Sequence, residues 1–224
     1  MPAPIENALL AALPRAEYRR VRAMLEPVTL TFGDVLYEQG DPITQVYFPN
    51  DSLVSLLTLV DRHLALEVGL VGREGMVGVA YAMGIDATPF RALVQGTGSA
   101  MGMKASAFRR ELNASASLQR EVHRYAHALL AQVAKTAACN RFHVVQERLA
   151  RWLLMTRDRM RSDHFHLTHE FLANMLGVRR VGVTMAAHAL RQRKLITYSR
   201  GDITITDRRG LEAAACSCYS KPAA

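Results

Sequence analysis

The feature that most constrains the fold is a long segment with helical character that separates two parts of different composition. Residues 114–138 contain no Gly or Pro and are rich in Ala, Leu, Gln and Arg. This composition favours an uninterrupted α-helix of about seven turns. Short β-rich runs precede the segment and helical patterns follow it, so we predict an α+β chain and not one of alternating βαβ units.

The part before the long helix has the pattern of an antiparallel β-roll of the jelly-roll type. β-rich runs occupy residues 28–32, 46–48 and 53–60, and turn residues such as Gly33-Asp34 and Gly40-Asp41-Pro42 punctuate them. Further short runs interspersed with glycines continue to about residue 103. Residues 5–26 have apolar residues at helical spacing with an interruption at Pro14, which predicts helices ahead of the roll.

The net charge of +8 lies entirely in the C-terminal part of the chain. Residues 1–140 hold 13 Lys and Arg and 13 Asp and Glu, whereas residues 141–224 hold 15 and 7. A neutral part joined to a basic part indicates a polyanionic partner for the basic part. A generally basic surface with solvated arginines is the alternative that charge alone leaves open.

Within the long helix, four apolar residues recur at intervals of 4, 3 and 4: Leu118, Val122, Tyr125 and Leu129. This is the a/d spacing of a coiled-coil seam. Such a stripe either pairs with a second copy of the chain or packs on its own domain. We predict the first, a dimerisation helix with these four residues in its seam.

Residues 164–207 give a compact series of short elements. In order, these are a strand at 165–167, a helix at 168–176, a turn at Gly177, a helix at 179–193, and strands at 195–199 and 203–206 around the turn 200–202. Thr168 is suited to cap the first helix. Two helices joined by a glycine-containing turn and followed by a small hairpin form a winged helix-turn-helix.

Packing of the two helices leaves the N-terminal exposed face of the second helix free to enter a DNA major groove. We predict that the bases are contacted from this face by Arg179, Arg180, Gly182 and Thr184. Arginine suits the O6 and N7 atoms of guanine. Phosphate contacts are predicted for Thr168, His169 and Arg200.

Residues 167–180 resemble the helix-turn-helix of the CRP/FNR family of bacterial transcription regulators, and residues 195–205 resemble its wing. Residues 33–48 resemble the opening of the family's cyclic-nucleotide-binding-type β-roll. The resemblance implies three parts in the family's order: a roll with N-terminal helices at 1–112, a dimerisation helix at 113–139 and the winged helix-turn-helix at 140–224. It also implies a homodimer on a two-fold symmetric operator, with half-sites roughly 34 Å apart, and RNA polymerase as a further partner.

The resemblance assigns Arg180 to the position of the family's base-reading arginine. Val181 and Met185 stand where the family often has a glutamate and a second arginine. We therefore expect an operator that differs from the family's best-known site, with Arg179 supplying some of the missing contact.

A ligand pocket in the roll is implied at Gly78, Val79, Arg91 and Ala92. Members that bind cyclic AMP have a glutamate where Val79 stands and a hydroxyl residue after the arginine, where this chain has Ala92. Without the carboxylate the ribose hydroxyl would be buried unpaired, at about 1–3 kcal/mol. We expect weak or no cyclic AMP binding.

No metal site or other cofactor is predicted. Cys139 lies far along the chain from Cys216 and Cys218, so an iron–sulfur cluster with four cysteine ligands is not expected. Cys216 and Cys218 are interpreted as free thiols near the tail. The pairs His123/His127 and His164/His166 have no acidic or cysteine partner and are interpreted as solvated. The sequence does not exclude haem binding, because one histidine suffices as an axial ligand.

We conclude from the sequence that the chain is a dimeric regulator that binds double-stranded DNA. The alternative is a ligand-sensing roll that acts through protein contacts, with a degenerate DNA-binding domain. No phosphate loop, metal-hydrolase spacing or nucleophile elbow is found, so no catalytic residues and no enzyme are predicted. The N-terminus lacks the pattern of a secretory signal, and no stretch of about 18 uncharged apolar residues occurs. A cytoplasmic protein without membrane contact is therefore expected.

Overall fold

The computed structural model describes residues 7–61 and 64–219, which form two compact units. The first comprises the described residues of 1–58 and 69–132, and the second those of 59–68 and 133–222. The division falls inside the long helix, between Gln132 and Val133.

Two short helices begin the first unit, α1 (Ala8–Ala11) and α2 (Arg15–Arg22). Pro14 precedes α2 directly, so the predicted interruption is confirmed. Asn7 caps α1 by accepting a hydrogen bond from the Leu10 amide at 3.2 Å. Its buried amide group also donates to the Pro49 and Gly75 carbonyls, each at 2.9 Å, which fixes the helix entry on the roll.

The β-roll is built from two antiparallel sheets, as predicted. Its strands are β1 (Glu26–Leu30), β2 (Val35–Tyr37), β3 (Gln45–Pro49), β4 (Leu53–Asp61), β5 (Leu64–Val71), β6 (Arg91–Gly96) and β7 (Gly98–Lys104). One sheet has the order β1-β7-β3 and the other β2-β6-β4-β5. Apolar side chains of alternate residues, such as Val46 and Phe48 of β3, are fully buried, and the Phe48 ring lies 6.1 Å from that of Phe108.

The helical segment after the roll is divided into α3 (Ala105–Ala114) and α4 (Ala116–Phe142). The break lies at Ser115, which has extended backbone angles and accepts a hydrogen bond from the Leu118 amide at 3.0 Å through its hydroxyl oxygen. A serine in this conformation caps the following helix, so its presence explains why a segment without Gly or Pro still starts a new helix.

The four residues predicted to form an intermolecular seam are instead buried within the first unit: Leu118, Val122, Tyr125 and Leu129. The Tyr125 ring lies over Gly75, where a Cβ would not fit, and Leu129 packs over Gly69. One turn further along α4, the side-chain amide of Gln132 bonds twice to the backbone of Leu70. Its oxygen accepts from the Leu70 N–H at 2.6 Å, and its nitrogen donates to the Leu70 carbonyl at 3.2 Å. This stripe therefore holds α4 to its own roll, which corrects the prediction.

The second unit contains the end of α4 and the elements that follow it. These are α5 (Val145–Met160), β8 (His164–His166), α6 (His169–Leu176), α7 (Arg180–Gln192), β9 (Ile196–Ser199), β10 (Asp202–Ile205) and α8 (Arg208–Ala214). The three strands form an antiparallel sheet in the order β8-β10-β9. The elements from β8 to β10 confirm the predicted series, with bounds shifted by two residues or fewer.

Helix α8 was not predicted, because it is short and its cap is the main signal for it. Asp207 accepts a hydrogen bond from the Gly210 amide at 2.9 Å and so starts the helix. Leu211 and Ala214 are buried on its inner side. Among the helices of the described part of the chain, none combines the length and the apolarity needed to cross a membrane.

Candidate nucleic-acid interface

The two helices α6 and α7 are fixed by a cap and a glycine turn. The Thr168 hydroxyl oxygen accepts a hydrogen bond from the Phe171 amide at 3.1 Å at the start of α6. Gly177 ends α6 with a left-handed backbone (φ 61°), and the Val178 amide then bonds back to the Ala173 carbonyl at 3.0 Å. This conformation favours glycine, so the sequence at the turn sets the angle between the helices.

One face of α7 is buried and the opposite face is open to solvent. Val183, Ala187 and Leu190 are buried as the sequence predicted. The exposed face near the N-terminus carries Arg180, Val181, Thr184 and Met185. Val181 is 62% and Met185 68% exposed, so two apolar side chains one helical turn apart face the solvent beside the arginines.

Arg179 and Arg180 begin this exposed face, Arg179 as the residue before α7 and Arg180 as its first residue. Both side chains are exposed, and no carboxylate of the described residues lies within 4.0 Å of either guanidinium. Their donors are therefore free to bind an external acceptor.

Two other predicted base-contacting residues are arranged differently. Gly182 faces α5, with Val145 as its nearest neighbour, and its amide bonds to the Arg179 carbonyl at 2.9 Å. It has no side chain to present, and we leave it out of the proposed contacts. Thr184 is exposed, and its hydroxyl bonds to the Arg180 carbonyl at 3.1 Å and lies 3.0 Å from His169 Nδ1.

His169, predicted to contact phosphate, is half-buried and packs against the wing. Its ring stacks on Tyr198 of the wing, with centroids 4.3 Å apart and planes at 12°. Its Nδ1 lies 3.0 Å from the Thr184 hydroxyl, so Nε2 is the ring nitrogen left for a second contact. This Nε2 is buried and has no hydrogen-bond partner among the described residues. We therefore assign the ring to positioning Tyr198 and Thr184.

The pKa of His169 is lowered, first by burial of the ring and second by the positive charge of Arg180. The unfolded chain therefore takes up a proton at this histidine at a higher pH than the folded domain does. We expect stability to fall as the pH drops through the ordinary histidine pKa of about 6.5 and to level off below the lowered value.

Urea unfolding of the wild type and of His169→Gln at pH 7.5 and 5.5 measures this contribution. The variant should lose part of the pH dependence, whereas His188→Gln, which changes an exposed histidine of α7, should keep it. An unchanged pH dependence in His169→Gln would contradict the assignment.

The wing is a tight hairpin with Arg200 at its tip. Arg200 and Gly201 both have positive φ, 51° and 95°, as a two-residue hairpin turn of type I′ requires. Behind the turn, His166 lies 2.9 Å from Asp202, and this hydrogen bond lowers the pKa of the Asp202 carboxyl. The Arg200 side chain is exposed, so its charge is presented to the solvent.

The residues predicted to line a ligand pocket lie in the roll. Gly78 has φ 91° and starts a 3-10 helix (Val79–Met83), and Val79 is buried. Arg91 begins β6 and forms an ion pair with Glu38 at 3.4 Å, while Ala92 is buried in the same strand. The arginine is therefore already engaged by a carboxylate of its own chain.

The three cysteines lie close together in the second unit, although Cys139 is far along the chain from Cys216 and Cys218. Cys139 and Cys216 are both buried, with their sulfurs 3.5 Å apart. Cys218 Sγ lies 3.6 Å from His143 Nδ1. The segment after α8 is folded back as far as Tyr219, whose hydroxyl donates to Asp158 at 2.7 Å, so the described part of the tail is packed. Distance along the chain was thus a poor guide to distance in space.

The comparisons with known proteins agree with this architecture. Residues 147–214 match the family described as the Crp-like helix-turn-helix domain. A search of curated proteins found no match. Among solved structures, a CRP-family transcriptional regulator from Thermus thermophilus matches with a TM-score of 0.71 and 19% identity, covering 87% of this chain and 99% of the other.

Two further structures match to a similar degree. FixK2 from Bradyrhizobium japonicum has a TM-score of 0.71 and 15% identity, covering 86% of this chain and 98% of its own. The c-di-GMP responsive global regulator CLP from Xanthomonas campestris has a TM-score of 0.70 and 15% identity, covering 86% and 99%. At these identities the likeness concerns the fold.

The family match and the geometry together identify residues 147–214 as a Crp-like helix-turn-helix domain with an exposed, arginine-bearing face on α7. Over most of its length the chain shares the fold of solved regulators of the CRP family, with an antiparallel β-roll ahead of the Crp-like domain.

Proposed function

We propose that the protein is a homodimer that recognises a two-fold symmetric operator through α7, with the wing on the flanking phosphates. The observation that carries this proposal is the exposed face of α7, where two arginines without a carboxylate partner among the described residues adjoin two exposed apolar side chains. Helix N-termini of this kind enter the major groove in helix-turn-helix proteins.

The arginines supply guanine recognition and the apolar residues supply thymine recognition. A bidentate arginine reads O6 and N7 of guanine, and an apolar side chain in the major groove contacts the C5-methyl group of thymine. Arg180, Val181 and Met185 share the open face, and Met185 lies one helical turn beyond Val181. The proposed half-site therefore has a guanine beside one or more thymines.

Phosphate contacts are proposed for Arg200 at the wing tip and Thr168 at the start of α6. Thr168 uses its oxygen as an acceptor for the Phe171 amide, so its hydroxyl proton remains available to a phosphate oxygen. These contacts fix the register of the domain on DNA and carry no sequence information themselves.

The proposed dimer contact is the exposed side of α4, opposite the stripe that packs on the roll. His123, His127, Leu130 and Ala134 are exposed and follow one another at intervals of 4, 3 and 4, the spacing of a coiled-coil seam. Leu130 is 67% exposed, and pairing with the same helix of a second copy would bury it.

The roll is proposed to sense a signal other than cyclic AMP. Val79 is apolar and buried, so it offers no acceptor to a ribose hydroxyl, and the ion pair of Arg91 with Glu38 at 3.4 Å competes with a cyclic phosphate for the guanidinium. RNA polymerase is proposed as the partner through which the bound dimer acts.

Retention of duplex DNA at increasing salt tests the proposed function. We expect binding at low salt that weakens steeply as the salt concentration rises, because Lys and Arg displace counterions from phosphates. Cyclic AMP should leave the retained fraction unchanged. Absence of retention at low salt would contradict DNA binding, and a large gain in affinity with cyclic AMP would contradict the proposal for the roll.

A further inference from the structure

Four side chains with metal-binding atoms meet at one place in the second unit: Cys139, His143, Cys216 and Cys218. Their ligand atoms all lie within 4.8 Å of one another. The sulfurs of Cys139 and Cys216 are 3.5 Å apart, and Cys218 Sγ is 3.6 Å from His143 Nδ1. The three cysteines are free, so no disulfide occupies their sulfurs.

The four residues come from two short segments whose local geometry brings each pair together. Cys139 lies in the last turn of α4, and the His143 amide bonds to its carbonyl at 3.1 Å, so the two side chains are one helical turn apart. Cys216 and Cys218 share a turn closed by a hydrogen bond from the Tyr219 amide to the Cys216 carbonyl at 3.0 Å. Each segment therefore presents two ligands from a defined backbone.

The chemistry and the spacing of this cluster suit zinc. Three cysteines and one histidine are a common ligand set of structural tetrahedral zinc sites. Ligand atoms at about 2.0–2.3 Å from a tetrahedral zinc lie roughly 3.3–3.8 Å from one another. The separations of 3.5 Å between the Cys139 and Cys216 sulfurs and 3.6 Å between Cys218 Sγ and His143 Nδ1 fall in this range. Every other separation is at most 4.8 Å, so the remaining ligand atoms need to close by about 1 Å or less to bind one ion.

Two buried arginines beside the cluster supply independent support. Arg148 is 7% and Arg151 8% exposed. The positive charge of Arg151 favours the thiolate form of Cys139, and a thiolate at Cys139 favours the charged form of Arg148. No carboxylate of the described residues lies within 4.0 Å of either guanidinium, and the Nε atom of each is buried without a hydrogen-bond partner there. Buried positive charges require a nearby negative charge.

We propose that Cys139, His143, Cys216 and Cys218 bind one zinc ion in a structural site. Binding of Zn²⁺ to three thiols and a neutral imidazole releases three protons and leaves a complex of net charge −1. That charge would offset one of the two positive charges that the buried guanidiniums carry. With four protein ligands the site has no open position for a substrate, so its role is structural.

The site would join the end of α4 to the segment after α8, which are separated by 77 residues in the chain. Closing a loop of this length reduces the entropy of the unfolded chain. Arg148 also donates a hydrogen bond to the carbonyl of Leu176, the last residue of α6. The metal site is thereby connected to the helix that packs against α7.

Metal analysis of the full-length protein, purified under reducing conditions without chelator, tests the proposal. We expect about one zinc per chain by mass spectrometry. Replacement of zinc by Co²⁺ should give the thiolate charge-transfer bands and the intense visible bands of tetrahedral cobalt. Removal of the metal with a chelator should lower the melting temperature, and added zinc should restore it.

Cys216→Ser and Cys218→Ser should each weaken zinc binding by more than the 10–100-fold that changes around a metal site produce. Ser217→Ala, in the same turn, is the matched control and should bind zinc as the wild type does. Absence of zinc together with no tetrahedral cobalt spectrum would overturn the proposal. So would full zinc content in Cys216→Ser, or a Cys139–Cys216 disulfide in protein that takes up no metal.

Discussion

Arg180→Ala is expected to reduce affinity for the operator by about 5- to 150-fold, the loss of one good bidentate contact of about 1–3 kcal/mol. The side chain is exposed at the first position of α7 and lacks a carboxylate partner among the described residues. Its removal should therefore leave the fold unchanged. Preference for guanine should be lost at one position of each half-site, as measured by competition between operator variants.

The pattern of loss separates base recognition from general charge. Binding to random DNA should fall much less than binding to the operator in Arg180→Ala. Arg191→Ala, which removes an exposed arginine from the last turn of α7, should reduce both by similar small factors. Equal losses on operator and random DNA in Arg180→Ala would contradict a base contact.

Leu130→Glu is expected to convert the dimer to monomers without unfolding the chain. Leu130 is 67% exposed in the single chain, so a carboxylate there costs little until a second helix covers it. In the dimer, two such charges would be brought together and buried, which is strongly unfavourable. Light scattering should give the mass of one chain, and operator affinity should fall because each monomer contacts one half-site.

The neighbouring residue provides the matched control. Leu129 is 6% exposed and packs over Gly69, so Leu129→Glu places the same charge in the core of the first unit. We expect this variant to lose stability by several kcal/mol, as a buried unpaired charge does, which urea unfolding measures. A dimeric Leu130→Glu protein would contradict the proposed contact.

The comparison of these two leucines shows where sequence reasoning succeeded and where it did not. The a/d spacing of Leu118, Val122, Tyr125 and Leu129 correctly identified an apolar stripe on a helix. Periodicity does not say which surface covers a stripe, and here Gly69 and Gly75 of the roll admit Leu129 and Tyr125. The sequence of a helix does not indicate that glycines elsewhere in the chain allow the helix to pack closely on its own domain.

The winged helix was predictable because its signals are local. Thr168 as a cap, Gly177 in the left-handed region and the Arg200-Gly201 turn each fix the backbone at one position. The role of His169 was not predictable in this way, since it depends on Tyr198 on the wing, which is distant in sequence.

The cysteine cluster was missed for a related reason. Cys139 is four residues before His143, and Cys216 is two residues before Cys218, but the sequence interpretation considered only the long separation between Cys139 and the other two cysteines. Helix α8 brings Cys216 and Cys218 back to Cys139 and His143, and this short helix was not predicted from the sequence. Two pairs of potential ligands that are distant in sequence can therefore form one metal site when the fold brings their segments together.

Selection of bound sequences from a random DNA pool by the purified full-length protein tests whether a dimer recognises DNA through α7. We expect enrichment of an inverted repeat with half-site centres about 10 base pairs apart, or a multiple of one helical turn, each half-site containing guanine beside thymine. Enrichment of a single unrepeated site, or a bound pool that remains random, would contradict a dimer reading DNA through α7.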